Sequence, residues 1–349
     1  MSKSWYSLLA LGALSMHSLA VAEAPTMDQG AKTPCNSCAV LLPSLPTPDH
    51  YRMTGEFLYL LPTVDDTYFV LNSGSSTTFP NGERENNDFS FSPAFRVGIE
   101  YAGCDKKREL EAFYARLSTD QNSTISGAHL WATLGRPDLT SNFENYNGTA
   151  SSDLHLLYQN AEIHFSQQIL NSYETYLYIK PGIEFAYFRL HENYAYQITG
   201  VSLGTITEKS KTWGVGPQIA LSLDRNLYQG NLSCNTQHAL SVTSTFAGGI
   251  LMSRGATQHS QVSSGATLLD IHDKFTWKTI PALHARMGLN YLIQTSKCGI
   301  ALGVGYEFNT YIRALTRTSF PDDVADGLCT TDFYNFDVQG LYVSASISF

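Results

Sequence analysis

The sequence predicts an all-β protein, a transmembrane antiparallel β-barrel with an even number of strands, from three observations. The composition suits strands and turns: 43% of the residues are hydrophobic and only 15% are charged, with 20 Tyr and 18 Phe beside 26 Gly. A period-two apolar pattern runs to the last residue in LYVSASISF, from Leu341 to Phe349. Long and short connections also alternate between stretches of this kind.

The first 22 residues predict a secretory signal peptide. A single lysine precedes an apolar core from Leu8 to Leu14, and small residues then permit cleavage after Ala22 or Ala24. Residues 23–50 are predicted to form a periplasmic linker that contains Pro and Cys, and residues 51–349 to form the barrel. Because no later stretch approaches the roughly 18 apolar residues that a spanning helix needs, any membrane crossing should use strands.

Ten stretches show the apolar alternation most clearly. One face of each is apolar and the other is small or weakly polar, which fits lipid outside and a lumen inside. Several exceed the five or six residues usual for globular strands, whereas a strand tilted across a bilayer needs about nine to eleven. This favours a barrel over a soluble sandwich. The stretches are 55–62, 93–102, 108–118, 153–166, 174–190, 210–223, 237–251, 275–293, 298–313 and 336–349.

The gaps between these stretches alternate in length. The odd-numbered gaps span 30, 34, 19, 23 and 22 residues, and the even-numbered gaps span 5, 7, 13 and 4. Outer-membrane barrels have long external loops and short periplasmic turns, so both termini are predicted on the periplasmic side. Ten strands are visible and 12–16 are plausible, since the long gaps could contain hairpins at Thr67–Leu71 with Phe89–Phe91, or at His129–Leu134.

Two features do not fit simple strands. Pro181, Pro217 and Pro281 fall inside predicted strands, although a closed barrel has no free edge for proline. Bulges or strand starts are the expected explanation. The segments Ser118–Ser152 and Thr257–Asp273 are rich in Ser, Thr, Asn and Gly, and are predicted to be external loops.

Most charged side chains of the predicted strands fall on the inward parity. They could set the conductance and a weak ion preference of a pore. Equally, they could pair with one another and fill a narrow interior. The sequence leaves both alternatives open. The pore-lining candidates are Arg96, Glu100, Glu162, Lys180, Glu184, Lys278, His284, Arg286 and Glu307.

Three parts of the chain carry a family resemblance. They are GEFLYLLPTVDD from Gly55, SPAFRVGIEYAG from Ser92 with the following RELEAFYARLST, and the closing aromatic residue. They resemble the major outer membrane protein-like porins of the Legionella and chlamydia type. The resemblance implies an outer membrane protein that forms a passive pore for small hydrophilic solutes and ions. It also implies that Phe349 is read by the barrel-assembly machinery, and it leaves self-association as an oligomer open.

Six cysteines are many for a barrel in an oxidising compartment. Disulfides within the barrel rim, or cross-links to neighbouring envelope proteins, are expected, and the resemblance to chlamydial-type envelopes implies the cross-links. Unpaired thiols are the alternative. The CNSC stretch has no second CxxC, no nearby histidine pair and no thioredoxin-like βαβ context, which argues against a zinc or redox site. The predicted topology puts five on the periplasmic side and the last in an external loop: Cys35, Cys38, Cys104, Cys234, Cys298 and Cys329.

Other function classes fit the sequence less well. The net charge of −9 and the absence of a basic cluster argue against a nucleic-acid partner. The HExxH metalloprotease signature does not occur, and neither an enzyme nor a cofactor is predicted. The expected location is the bacterial outer membrane, with membrane lipid as a partner. The alternative to a pore is a surface adhesin or structural envelope barrel with little channel activity.

Overall fold

A computed structural model describes residues 50–73, 82–102, 108–134, 145–172, 174–198, 200–233, 236–295, 298–320 and 329–349. In these residues twelve strands form one antiparallel sheet. Within them, no helix is long and apolar enough to cross a membrane. The strands are β1 His50–Val64, β2 Tyr68–Asn72, β3 Glu83–Asn86, β4 Ser92–Ala102, β5 Arg108–Ala132, β6 Tyr146–Ser172, β7 Thr175–Ile198, β8 Val201–Ser233, β9 Thr236–Ser263, β10 Ala266–Thr295, β11 Gly299–Ser319 and β12 Thr330–Ser348.

Ten of these strands close into a ring. The order is β5-β4-β1-β12-β11-β10-β9-β8-β7-β6, and the pairing of β5 with β6 completes it. The last strand therefore pairs with the first, and the backbone amides of Tyr51 and Phe349 each donate to the other's carbonyl at 3.1 Å. Because closure requires a fixed register, the period-two pattern continues to the last residue. The predicted all-β barrel of even strand count is confirmed.

The strands of the hairpin β2–β3 are not among the ten that close the ring. β2 pairs with the end of β5, with Val70 opposite Ala132. The prediction of a hidden hairpin is partly right, since Thr67–Leu71 overlaps β2. Its partner is β3 rather than Phe89–Phe91, and His129–Leu134 is largely the end of β5.

The predicted external loops are mostly strand, so this prediction is wrong. Within Ser118–Ser152, β5 continues to Ala132 and β6 starts at Tyr146. Within Thr257–Asp273, β9 and β10 are joined by Ser264 and Gly265, whose φ angles of 50° and 82° fit a tight two-residue hairpin turn. In these strand ends the outward face meets water, and buried inward side chains such as Thr257 and His259 are polar, so the backbone ladder continues without apolar alternation. The sequence pattern therefore loses these strands before they end.

Prolines inside the strands lie where a ladder is interrupted or has not begun. Pro181 lies in an interruption of the β6–β7 ladder, and Pro217 in an interruption of the β8–β9 ladder. Pro281 immediately precedes the part of β10 that pairs with β11. Proline cannot donate a ladder hydrogen bond, so these positions tolerate it without opening the barrel.

The wall has two faces of different chemistry. Outward side chains such as Phe57, Ile183 and Met287 are 57%, 58% and 61% exposed, whereas the inward Leu58 and Ala186 are 1% and 0% exposed. The outward apolar side chains form a continuous belt around the ring, which we call the lipid-facing belt. We define the lower end of the barrel as the end where β1 begins and β12 finishes. β6 to β10, at 24 to 33 residues each, extend beyond the belt at the upper end.

Candidate functional site in the barrel interior

The lower interior contains two separate ion pairs. Arg52 Nη1 lies 2.8 Å from Glu100 Oε2, and Lys180 Nζ lies 2.8 Å from Glu111 Oε1. The alternation of the strands turns all four side chains inward. The Arg52 side chain is 35% exposed, so water reaches this level of the barrel.

A larger ion-pair network lies above them, and we call Glu56, Arg96, Arg286 and Glu307 the central network. The guanidinium of Arg96 binds Glu307 through two nitrogens, at 2.7 and 2.9 Å, and donates to Glu56 at 2.8 Å. Arg286 donates to both oxygens of Glu56, at 2.6 and 3.1 Å. Such two-pronged pairs fix the side chains strongly. The network ties β1, β4, β10 and β11 together across the interior.

The ring of Tyr342 supports one side of the central network. The guanidinium carbon of Arg286 lies 3.7 Å from the ring centroid, within the range of a cation–π contact. A Cβ at Gly288 or Gly305 would come within 2.1 or 2.5 Å of the Tyr342 hydroxyl. Glycine at these two positions therefore leaves the space that the tyrosine occupies.

Glu184 is the centre of a second, buried network. One oxygen accepts hydrogen bonds from Asn160 Nδ2 at 2.8 Å and the Tyr311 hydroxyl at 2.7 Å, and the other accepts from Gln218 Nε2 at 3.1 Å. His284 Nε2 lies 3.2 Å away, and its Nδ1 is 2.8 Å from Asn309 Oδ1. Glu184 itself is fully buried, so these partners replace the water it loses.

This second network is also where a metal ion could bind. Glu162, Glu184 and His284 each offer one ligand atom, and these atoms lie within 4.8 Å of one another. However, both oxygens of Glu184 already accept hydrogen bonds from neutral side chains. The partners already present, with His284 Nε2 beside them, therefore satisfy Glu184 without an added cation.

An aromatic layer closes the interior above the two networks, and we define it as Tyr158, Phe188, Tyr311 and Phe336. The Phe188 ring centroid lies 4.9 Å from that of Tyr311 and 5.3 Å from that of Phe336, both edge to face. The hydroxyls of Tyr158 and Tyr311 are 2.8 Å apart. None of the four residues is more than 4% exposed, so the layer is dry.

Above the aromatic layer the interior stays filled. Phe69 from β2 stacks on Tyr194, with ring centroids 6.4 Å apart. Arg317 Nη2 donates to Glu192 Oε1 at 2.5 Å, and His259 pairs with Glu208. The hairpin β2–β3 thus contributes a side chain to the upper interior.

The structure places the predicted pore-lining residues at several levels. Glu100 and Lys180 belong to the lower pairs. Arg96, Arg286 and Glu307 belong to the central network, and Glu162, Glu184 and His284 meet beside it. Lys278 is apart from all of these, since its Nζ bonds the carbonyl oxygens of Arg313 and Ala314 at the upper end, at 2.9 and 3.4 Å.

Sequence reasoning missed several members of these clusters. Glu56 and Arg52 have the inward parity of β1, two and six residues before the apolar inward Leu58, so extending the parity rule would have found them. The same parity rule, applied to β5, would also have identified Glu111. The aromatic layer had no sequence signal, because its members come from four strands and look like ordinary strand aromatics.

Two cysteines lie within the described residues, and both are free. Cys298 is half-buried at the lower end, beside Thr295, and Cys329 is half-buried at the start of β12. The other candidates lie outside the described residues, as do the signal peptide and the linker up to residue 49: Cys35, Cys38, Cys104 and Cys234.

Comparison with known families decides the class of the protein. A family model described as the Legionella pneumophila major outer membrane protein precursor matches residues 44–349. The chain belongs to this family. Family membership and the closed ring together support a location in the outer membrane. None of the curated proteins matches the sequence significantly.

Solved structures give only distant likenesses. The outer membrane protease OmpT of Escherichia coli has 10% identity and a TM-score of 0.41, over 87% of this chain and 97% of that one. The toluene transporter TodX of Pseudomonas putida has 8% identity and a TM-score of 0.29, over 87% and 90%. A FadL homologue of Pseudomonas aeruginosa has 7% identity and a TM-score of 0.26, over 88% and 91%. Such scores carry no argument about function.

Proposed function

We propose that this protein forms a narrow pore in the outer membrane, through which small hydrophilic solutes and ions diffuse passively. The observation that supports this most directly is the access of water to charged side chains at the level of the lipid-facing belt. The side chain of Arg286 is 28% exposed and that of Arg96 is 15% exposed, although both point inside the wall. Charge at this level is tolerable only where it is paired or hydrated.

The charged side chains of the interior also favour a pore over a barrel whose interior is simply filled by packed side chains. Well-packed apolar side chains can often replace buried ion pairs without loss of stability. A barrel that needed only to be filled would therefore have no need of the charged networks. Partly hydrated charges along a path are the usual lining of selective channels.

The aromatic layer limits the flux through this pore. Eight-stranded barrels are about filled by their side chains, whereas barrels of 16 to 18 strands enclose a water channel. A ring of ten strands is close to the filled case. Solutes can pass only when the rings of Phe188 and Phe336, and the side chains that fill the upper interior such as Phe69, move aside. The conductance should therefore be well below that of a wide porin.

Planar bilayers test the pore. Purified, folded protein should give small stepwise conductances in potassium chloride, and the same protein unfolded by heat should give none. Folding is checked separately by circular dichroism and by the heat-dependent mobility of barrels on gels. If folded protein inserts into the bilayer and yet gives no steps, the pore proposal is wrong.

A second candidate is a surface-binding or structural barrel with little channel activity. It is favoured by the long polar extensions of the strands above the belt. There a shallow concavity on the outer surface is lined mainly by polar and charged side chains: Asp120, Asn122, Asp153, Leu154, His155, His191, Asn193, Thr207 and Lys209. Folded protein that does not conduct but binds intact host cells or envelope components would favour this candidate.

Oligomer formation and disulfide cross-linking to envelope proteins remain predictions from the sequence. Non-reducing gels of isolated envelopes test the cross-linking. High-mass species that collapse with reductant would support cross-linking, and a monomer band unchanged by reductant would exclude it. Cys298, half-buried at the lower end, is one thiol that such a link could use.

A further inference from the structure

A cluster of positive charge lies on the outer surface at the upper edge of the lipid-facing belt. Arg189 lies directly opposite Lys211 in the β7–β8 ladder, and His191 lies directly opposite Lys209. On the other side of β8, Arg254 lies diagonally beside Lys211, two residues along β9 from Ala256, the direct partner of Lys211. We call Arg189, His191, Lys209, Lys211 and Arg254 the basic block. The four Lys and Arg side chains are exposed.

The basic block lies where the outward surface changes from apolar to polar. Along β8 the outward residues include Ile219 and Val215, then Trp213, and then the two lysines. Along β7 they end in Tyr187 before Arg189. Trp and Tyr concentrate at membrane–water interfaces. The block should therefore lie at headgroup level, on the side away from the chain termini, which in outer-membrane barrels is the outer leaflet.

This cluster is unfavourable by itself. Residues directly opposite in an antiparallel ladder have Cβ atoms about 4.5–5.5 Å apart, and like charges at such positions destabilise the sheet. One such pair, Arg189 with Lys211, lies here beside Lys209, in a chain whose net charge is −9. The block therefore concentrates positive charge although neighbouring like charges repel each other and the chain as a whole is acidic.

Carboxylates on the protein do not neutralise the block. In the part of the chain that the structure describes, none forms an ion pair with its four Lys and Arg side chains. Lys209 has only a long contact of 3.5 Å to Gln258, and Lys211 lies 5.9 Å from the ring centroid of Tyr187. Of the nearby outward carboxylates, Asp120 is paired with His155 and Asp270 with His272. Asp153 lines the same concavity as His191 and Lys209, but among the described residues it forms no ion pair with the block. An external anion is what the block lacks.

We propose that the basic block binds the phosphate groups of an anionic lipid headgroup in the outer leaflet. Guanidinium groups bind phosphate through two parallel hydrogen bonds, and lysines add point charges. Directly below the block, outward Phe185, Val215 and Met252 continue the apolar belt, and they are 38%, 40% and 55% exposed. A lipid can place its phosphates on the basic block and its acyl chains on the apolar surface below. Free phosphate can contact the basic block alone, so a lipid is the occupant that fits the whole surface. This inference does not depend on the pore.

A titration in uncharged detergent micelles tests the proposal. The probe is lipid A that carries two phosphates, with dephosphorylated lipid A and inorganic phosphate as separate arms, and bound lipid is counted by native mass spectrometry. The double variant Arg189→Gln/Lys211→Gln should bind the phosphorylated lipid roughly 30-fold more weakly, because each basic residue near a charged lipid surface contributes about a factor of five. Its binding of the dephosphorylated lipid should not change.

Arg225→Gln is the matched control, since Arg225 is exposed on the same strand but at the lower edge of the belt. It should leave the affinity for phosphorylated lipid unchanged. A second double variant, Lys209→Gln/Arg254→Gln, should repeat the loss and guards against a folding defect in the first. Equal affinity of the wild-type protein for both lipids would overturn the proposal. So would inorganic phosphate that competes as strongly as the lipid, or an Arg225→Gln variant as weak as the block variants.

Discussion

Two neighbouring cross-sections of the barrel interior, the central network and the aromatic layer, differ in almost every property except the wall that surrounds them. The central network is charged and reached by water, and its Arg286 is partly exposed. The aromatic layer is apolar in its rings and dry. Along β10 the change takes only a few inward positions, from Ile280 and Ala282 to His284 and Arg286. An inward face therefore does not define a pore by itself, because each level of the interior is built separately.

The largest effect on stability should come from Glu56→Gln in the central network. This change removes the charge that Arg96 and Arg286 share. Breaking a buried ion pair by removing one partner costs about 3–5 kcal/mol. We expect the free energy of unfolding, from urea titration in detergent micelles, to fall by about 3 kcal/mol.

Glu100→Gln is the control for that experiment, because its partner Arg52 is 35% exposed, more than either arginine of the central network. Exposed pairs contribute about 0–1 kcal/mol. Equal losses for the two variants would mean that the central network is as hydrated as the lower pairs. The greater burial assigned to the central network than to the lower pairs would then be wrong.

Tyr311→Phe should have an intermediate effect, because Tyr311 links the aromatic layer to the network of Glu184. Its hydroxyl meets Glu184 Oε1, the Tyr158 hydroxyl and Asn160 Nδ2, at 2.7, 2.8 and 2.9 Å. Leaving buried partners unsatisfied costs about 1–3 kcal/mol, so the free energy of unfolding should fall by about 2 kcal/mol. Tyr306→Phe, on the lipid-facing side, should cost much less. A Tyr311→Phe variant as stable as the wild type would show that water already reaches this level.

The smallest effect should come from Arg52→Gln at the lower end. We expect a loss below about 1 kcal/mol. The difference from the wild type should shrink further in 1 M salt, where the screening length is about 3 Å. The loss in the Glu56→Gln variant should change little, because its partners are less exposed. A loss at Arg52 that persists in high salt would argue that the lower interior is dry as well.

These contrasts also mark what the sequence could predict. The outward face follows from alternation, since every second residue must meet lipid, and the closing stretch to Phe349 follows from the need to pair with β1. The contacts between inward side chains cannot be predicted from this alternation. Arg96 and Glu307 are 211 positions apart and meet only because of the tilt and register of the closed ring. Parity identified most of the charged residues, but it could not say which of them pair or at which level they lie.

The strand ends could not be predicted for a different reason. Above the belt the outward face of a strand meets water, and many inward side chains, such as Thr257, His259 and Gln261, are buried but polar. The hydrophobic pattern that defines a strand therefore disappears while backbone pairing continues. Thr257–Asp273 was therefore predicted as a loop, although it forms the ends of β9 and β10. The basic block lies in the same kind of region, on a surface where alternation gives no guidance and only the register brings the charges together.

The most direct test of the account is the single-channel conductance of the double variant Phe188→Ala/Phe336→Ala beside that of the wild type. Removing two rings of the aromatic layer should raise the conductance several-fold, because this layer limits the flux. The matched control is Phe95→Ala/Phe185→Ala, which removes two rings from the lipid-facing belt and should leave the conductance unchanged. If the folded aromatic-layer variant conducts no better than the wild type, the aromatic layer is not the barrier and the central claim is contradicted.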